Sequence, residues 1–422
     1  MLTLAEILEA TGGELRGAQP SLGGLRFSRV VVDSRAVTPG ALFVALKGQK
    51  HDGHAFVAQA LAGGAAGALV ERVPADCAWA LNPHAEGPPL IVVGSSPAAL
   101  AAMARYALDR QPRLDVVGIT GSLGKTTTKE VVASVLGARR RVLKSEGNLN
   151  SEIGLPMTVL NGLDRPYDIA VLEMAMYQLG DIRLLARLAR PRVGVVTAVL
   201  PVHLERLGTI ERIQQAKQEL IEELPSNGVA VLNADDPRVA QMATATSARV
   251  VRYGVSESAD VRAEHISSQG LRGVHFDLLH AGQRRRVHLP LLGAHSVHAA
   301  LAATAVASDE GLSLSDIAEA LQRLSPTLRL LVVDGINGSR VVDDSYNASP
   351  ESVLAALNLL RELPGRRKIA VLGDMLELGS EEEPSHRRVG NRAAAVLDVL
   401  VKGSLAMGMS AVVRGIRAQG EA

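Results

Sequence analysis

The sequence predicts an α/β protein of three segments, the middle one a mostly parallel sheet built around a phosphate-gripping loop. Apolar runs of strand length alternate with amphipathic helical stretches, the pattern of a sheet covered on both faces. The stretch GITGSLGKTTTKE (118–130) joins one such run to a helix. Proline-bearing breaks at NPHAEGPP (82–89) and Ser325–Pro326 divide the chain. At about 150 residues per domain, a chain of 422 residues has room for three cores.

Residues 1–95 alternate short apolar runs (RVVVD, ALFVAL, GALVER, LIVVG) with Gly-rich connections and a helical stretch, HAFVAQALAGG. In 96–325, LDVVGIT, DIAVLEMAM, VGVVTAVL and GVAVLNADD read as strands separated by helices such as IERIQQAKQELIEEL. Ligands of such sheets gather beyond the carboxyl ends of the strands. Residues 247–290 alternate more strictly and read as an antiparallel edge, and HSVHAALAATAVASDEG closes the segment as a helix. In 326–422, RVVDDSY, RKIAVLGDM and VLDVLVKGS read as strands, ESVLAALNLLREL and SHRRVGNRAAAVL as helices. Ser349 is placed to cap the first of these helices, with Pro350 in its first turn.

Composition narrows the function. Lys plus Arg (45) balances Asp plus Glu (44), so no global field favours nucleic acid or a charged membrane. With only ten aromatic residues (one Trp, five Tyr, four Phe), stacking platforms for nucleic acid are not expected. A lone Cys77 excludes an internal disulfide framework and suits a reducing compartment. The N-terminus lacks a basic stretch followed by an apolar one, and no apolar run reaches membrane length. The expectation is a cytoplasmic enzyme that inserts into no membrane.

The 118–130 loop carries the strongest chemistry. Gly121 and Gly124 let the backbone fold tightly, so that its N–H groups and the helix N-terminus face a polyphosphate. Lys125 supplies a charge for the β/γ phosphates and Thr126 a hydroxyl for Mg²⁺. Ile119 stands where the plain G-x-x-x-x-G-K-[ST] pattern has its first glycine. A Gly-rich turn is the rival reading, but strand, loop, lysine and helix follow in order, which points to ATP or a close relative.

Six further positions stay open on spacing alone. Glu173 ends DIAVLE and either ligates Mg²⁺ or is a solvated strand-end carboxylate. His203 follows the strand VGVVTAVL and is either a metal or phosphate contact or a structural histidine. Lys217 falls on the apolar stripe of Ile210, Ile213, Leu220, Ile221 and Leu224, where it either snorkels outward or sits desolvated, open to covalent modification. Asn233, Asp235 and Asp236 either read a nucleoside or make turns. Beyond the cap, Asp343, Asp344, Ser345, Tyr346 and Asn347 form a polar cluster without a local explanation.

Several stretches together resemble the Mur ligases, ATP-dependent enzymes that extend the peptide of the bacterial cell-wall precursor. They are DSRAVTPGALFVALKGQKHDGHAF (33–56), TGSLGKTTTKE (120–130), GNLNSEIGLPMTVL (147–160), LEMAM (172–176) and HLERLGTIERIQQAKQEL (203–220). LNADDP (232–237), VVDDSYNASP (341–350), VLGDMLELG (371–379) and VKGSLAMGM (401–409) continue the match. VDDSYNASP, GNLN-EIG and VLGDMLELG are similar to the member that adds a D-Ala-D-Ala dipeptide.

The resemblance implies a UDP-sugar domain (1–95), a central ATP-binding domain (96–325) and a Rossmann-like C-terminal ligase domain (326–422). It implies UDP-N-acetylmuramoyl-tripeptide and D-Ala-D-Ala as partners, joined through an acyl phosphate by a monomeric enzyme. By motif, Ser34, Arg35, Asn150 and Asn347 would meet substrate. Gly121, Ser122, Leu123, Gly124, Lys125, Thr126 and Thr127 would cradle ATP, with Asn233, Arg329 and Asp344 as further nucleotide contacts. Thr126, Glu173, His203 and a carbamylated Lys217 would hold two Mg²⁺ ions, and Lys125, Lys217, His203 and Arg329 would be the catalytic set. Two rivals are a sibling that adds a single amino acid and a nucleotide-binding regulator that has lost turnover.

The chain also departs from the family. Leu123, Ser296 and Ala299 stand where asparagine is usual. The C-terminal domain is shorter by one or two βα units, which brings its core near the size where stability becomes marginal.

Overall fold

The computed structural model describes residues 2–17, 24–48, 50–82, 87–202, 204–325, 331–345 and 347–402. The chain divides into two compact units, residues 1–116, 141–174 and 184–190 in one, and 117–140, 175–183 and 191–422 in the other.

The first unit holds a five-stranded sheet in the order Glu14–Arg16, Leu90–Val92, Gly67–Val70, Leu42–Val44, Val30–Val31. All neighbours are parallel except the first pair. The four parallel strands are the expected apolar runs. Glu14–Arg16, short and half polar, gave no such signal. Val31, Phe43, Ala68, Val70 and Leu90 pack with Val57 and Ala60 into one core. Beyond this sheet Ser95 caps the helix Ser96–Asp109, with proline in its first turn. In the same unit the strands Val142–Lys144 and Ile169–Glu173 pair in parallel, which sets Glu173 at a strand end.

The second unit carries a sheet running Gln283–Leu289, Val274–His280, Val261–Ser268, Arg249–Gly254, Val229–Asn233, Val193–Val196, Asp115–Thr120. Its first two pairings form the expected antiparallel edge. Arg249–Gly254 corrects that expectation, because it pairs in parallel on both sides. It is an inner strand that buries Val251 and Tyr253, and the alternation of its sequence reflects only its polar partners on the other face. The helix Ser296–Asp309 is buried almost throughout and packs on the helix Lys125–Gly137.

The C-terminal segment of this unit opens with an antiparallel hairpin, Leu331–Asp334 with Arg340–Asp343. Ser349 caps the helix Pro350–Glu362 in a reciprocal box with Ser352, as its sequence position required. Among the described residues its parallel sheet has two strands, Ile369–Leu372 and Val399–Lys402. Their small core gathers Val353, Leu357, Ala370, Met375, Leu378, Val389 and Ala393. So small a core opens cheaply. Amide exchange within 350–394 should outpace that within 115–310 and slow on nucleotide addition, and equal protection in the free protein would refute this. No described helix is long and apolar enough to cross a membrane.

Candidate active site

The strand Asp115–Thr120 is buried along nearly its whole length and delivers the chain into the phosphate loop. Gly121 takes φ +149°, and a side chain there would place its Cβ 1.8 Å from Thr197 Oγ1, so only glycine fits. Gly124 takes φ +82° and stands in open space, so glycine serves the backbone angle there. Ser122 is engaged on both sides: its N–H donates to the Ala198 carbonyl at 2.8 Å and its hydroxyl accepts from the Leu200 N–H at 2.9 Å. Thr197 Oγ1 donates to the Leu123 carbonyl at 2.6 Å. Lys125 opens the following helix, and its Nζ folds back to donate to the Gly121 carbonyl at 2.7 Å. Thr126 and Thr127 sit half-buried in the same first turn. The loop's backbone is thus fixed by its neighbours, with Lys125 folded over it.

Lys217 does not snorkel. It lies inside the helix Ile210–Glu222 at 2% exposure, among Ile213, Ala216, Leu220 and Ile221. Burial, with the Lys125 charge added, pushes its pKa well below the usual lysine value. Among the described residues no carboxylate charge offsets it. Two residues on, and so roughly 200° round the helix, Glu219 is also buried. Its carboxylate accepts the Gly180 and Arg183 N–H groups at 2.7 and 3.0 Å. The Arg183 guanidinium grips Glu222 and Glu223 of the same helix. These contacts fix the rotation that turns Lys217 inward. Glu219→Gln should set its NH₂ against one of the two N–H donors and lower the melting temperature by several degrees, worth about 1–3 kcal/mol. An unchanged melt would show the clamp to be idle.

Glu173, in the other unit, is 2% exposed. Its Oε1 accepts from Asn150 Nδ2 at 2.9 Å, and its N–H donates to Ser145 Oγ at 3.1 Å. Its Oε2 is buried with no hydrogen-bond partner among the described residues. A buried carboxylate oxygen without a partner is costly, and a hard cation is a natural one. The donor chemistry therefore fits Mg²⁺. No three His, Cys, Asp or Glu residues cluster as a metal site among the described residues, so any ion there depends on other donor types. His203, Arg329 and Tyr346 lie outside the described residues.

The polar strand end at 233–236 is braced by hydrogen bonds. Asn233 Nδ2 donates to the Thr197 carbonyl at 2.9 Å, and its Oδ1 accepts the Asp235 N–H at 3.0 Å. Burial alone would raise the Asp235 pKa, but His298 and the Val255 and Ser256 N–H groups hold it down at about 2. Asp236 caps the helix Pro237–Gln241 and accepts the Val199 N–H at 2.7 Å. Ser296 turns its hydroxyl inward to the Gly293 carbonyl.

The remaining expected contacts sit on local turns. Ser34 is half-buried and Arg35 exposed on a short turn, where the Arg35 guanidinium and N–H lower the Asp33 pKa to about 2. Asn150, expected to meet substrate, uses its amide to hold Glu173. Asp344 is half-buried and Asn347 exposed, the latter accepting the Ala348 N–H. Sequence reasoning passed over Thr197 and Glu219. Thr197 lies in no recognisable motif, and Glu219, although inside the stretch 203–220, sits among polar neighbours on its flank and gave no signal of its own.

Comparison with known proteins agrees with this architecture. Residues 26–107 match the Mur ligase family catalytic domain, 119–307 the Mur ligase middle domain, and 328–421 the Mur ligase glutamate ligase domain. A UDP-N-acetylmuramoyl-tripeptide–D-alanyl-D-alanine ligase from Mycobacterium bovis is 40% identical over 100% of this chain and 88% of its own length. The crystal structure of MurF from Acinetobacter baumannii superposes with a TM-score of 0.87 at 29% identity, covering 98% of each chain. The MurF ligase of Thermotoga maritima in complex with ADP gives 0.78 at 30% identity, over 92% of this chain and 96% of the other. With its three segments matched in order and a relative this similar along its whole length, the chain belongs to the Mur ligase family.

Proposed function

We propose that this chain is an ATP-dependent ligase that joins D-Ala-D-Ala to a UDP-N-acetylmuramoyl-tripeptide. The observation that carries the reading is the preformed phosphate loop, with Lys125 folded over it and Lys217 buried within reach of that charge. The names of the relatives supply the substrate class.

Loop N–H groups and Lys125 would bind the β and γ phosphates. Thr126, Glu173, His203 and a carbamylated Lys217 would hold Mg²⁺, which when bound offsets charge on the phosphoryl group in transfer. The neutral Lys217 amine attacks CO₂ and releases a proton, leaving an anionic carbamate where a bare ammonium would be costly. The terminal carboxylate of the tripeptide attacks the γ phosphorus and ADP departs, giving an acyl phosphate. The D-Ala-D-Ala amine then adds to the acyl carbon, and the tetrahedral intermediate expels phosphate as the amine loses its proton. Lys125 and Arg329 would steady the charge through both steps. Ser34 and Arg35 would meet the uridine end, Asn347 and Asp344 the substrate and nucleotide from the third segment. On this reading the enzyme works in the cytoplasm, and as a monomer, which sedimentation checks.

Phosphate release should require the UDP-tripeptide and D-Ala-D-Ala together. Release with a single amino acid instead would favour the sibling ligase. ADP binding without release under any combination would favour the regulator.

A further inference from the structure

Thr197 follows the strand Val193–Val196 and is 7% exposed. Its backbone N–H donates to the Thr120 carbonyl at 3.0 Å, and its carbonyl accepts from Asn233 Nδ2 at 2.9 Å. Its hydroxyl donates to the Leu123 carbonyl at 2.6 Å, with a longer 3.3 Å contact to the Thr120 carbonyl. One residue thus ties the end of one strand and the end of its neighbour to the phosphate loop.

In a trans peptide the C=O and N–H point in opposite directions. Holding the Leu123 carbonyl toward Thr197 therefore aims the Gly124 N–H away from it. Nothing lies within 4 Å of where a Gly124 side chain would stand. A glycine at φ +82° gives this peptide little resistance to flipping on its own. Leu123 has no polar side chain with which to hold it either. We propose that Thr197 is a positioning residue of the nucleotide site, whose hydroxyl locks the Leu123–Gly124 peptide so that the Gly124 N–H faces the bound phosphates. The same hydroxyl explains why residue 121 must be glycine, since a Cβ there would collide with it.

The inference rests on the reading that this loop binds ATP. The test compares Thr197→Val and Thr197→Ser in the full-length chain, by calorimetric titration with ADP and by steady-state kinetics. Valine keeps the shape and removes the donor. It should weaken ADP binding and raise KM for ATP by about ten- to a hundredfold, the worth of one hydrogen bond to a charged group. KM for the UDP-linked substrate should not move. Serine keeps the donor and should restore nucleotide affinity. Should the valine variant fail to fold, Thr197→Ala against Thr197→Ser carries the same contrast. Wild-type ADP affinity in the variant without the hydroxyl would overturn the proposal, as would a serine variant as impaired as valine. Wild-type protein that binds no ADP would overturn the nucleotide reading itself, and this inference with it.

Discussion

Lys125→Ala is expected to cut ATP turnover by on the order of a thousandfold, the upper range for removing one preorganised charge-stabilising donor. The UDP-linked substrate should still bind, because Ser34 and Arg35 belong to a separate compact unit with its own core. The loss has two routes. On the proposed reading Lys125 offsets charge on the transferring phosphoryl group, and it is also one of the two causes that depress the Lys217 pKa. Without it the Lys217 amine becomes more basic and less of it is neutral at a given pH, so carbamate forms less readily. Phosphate release and substrate titration on the same variant measure both halves. Near wild-type product formation would refute the assignment of the loop.

Lys217→Ala should be almost inactive and partly rescued by a short carboxylic acid that occupies the vacated space. The direction of its pKa fixes the pH behaviour. A folded-state value below the unfolded one means that the folded chain binds fewer protons between the two, so this group's contribution to stability rises with pH across that window and is constant below it. As pH falls through the depressed value the amine protonates, so activity should decline on the acid side and recover with added bicarbonate. Lys217→Met, which buries no amine, should be inactive yet more stable by about 1–3 kcal/mol in bicarbonate-free buffer. A fully active alanine variant would return Lys217 to a structural role, and a destabilised methionine variant would show that the amine has a partner in the folded state.

Much of this was legible because it rests on local rules. Alternating apolar runs gave the strands, the Ser349–Pro350 pair gave a helix start, and the order of strand, glycines and lysine gave the loop. The apolar stripe placed Lys217 inside, and burial removed the snorkelling alternative. What was not legible depends on partners far away in sequence. Asn233, Asp235 and Asp236 have the residue types of a nucleoside reader, yet their hydrogen bonds go to the backbone at 197, 199, 255 and 256 and to His298. The parallel pairing of Arg249–Gly254 depends on which strands flank it, which its own alternation cannot reveal. Thr197 acts through a carbonyl, and a carbonyl leaves no mark in a sequence.

The helix behind the phosphate loop has a consequence for affinity. Ala299, Ala300, Ala302, Ala303, Ala305 and Ala307 are all buried in Ser296–Asp309, which packs on the helix that Lys125 begins. Alanine has no rotamers to lose. The backing of the loop is therefore a wall whose order is complete once the chain has folded, and a nucleotide arriving at the loop finds little behind it left to freeze. Rigidity of this kind converts contacts into affinity more fully than a backing of long side chains would. It also makes those alanines intolerant of enlargement, because a helix buried on all sides has nowhere to put a larger side chain except into the elements packed around it, the helix that presents the lysine among them.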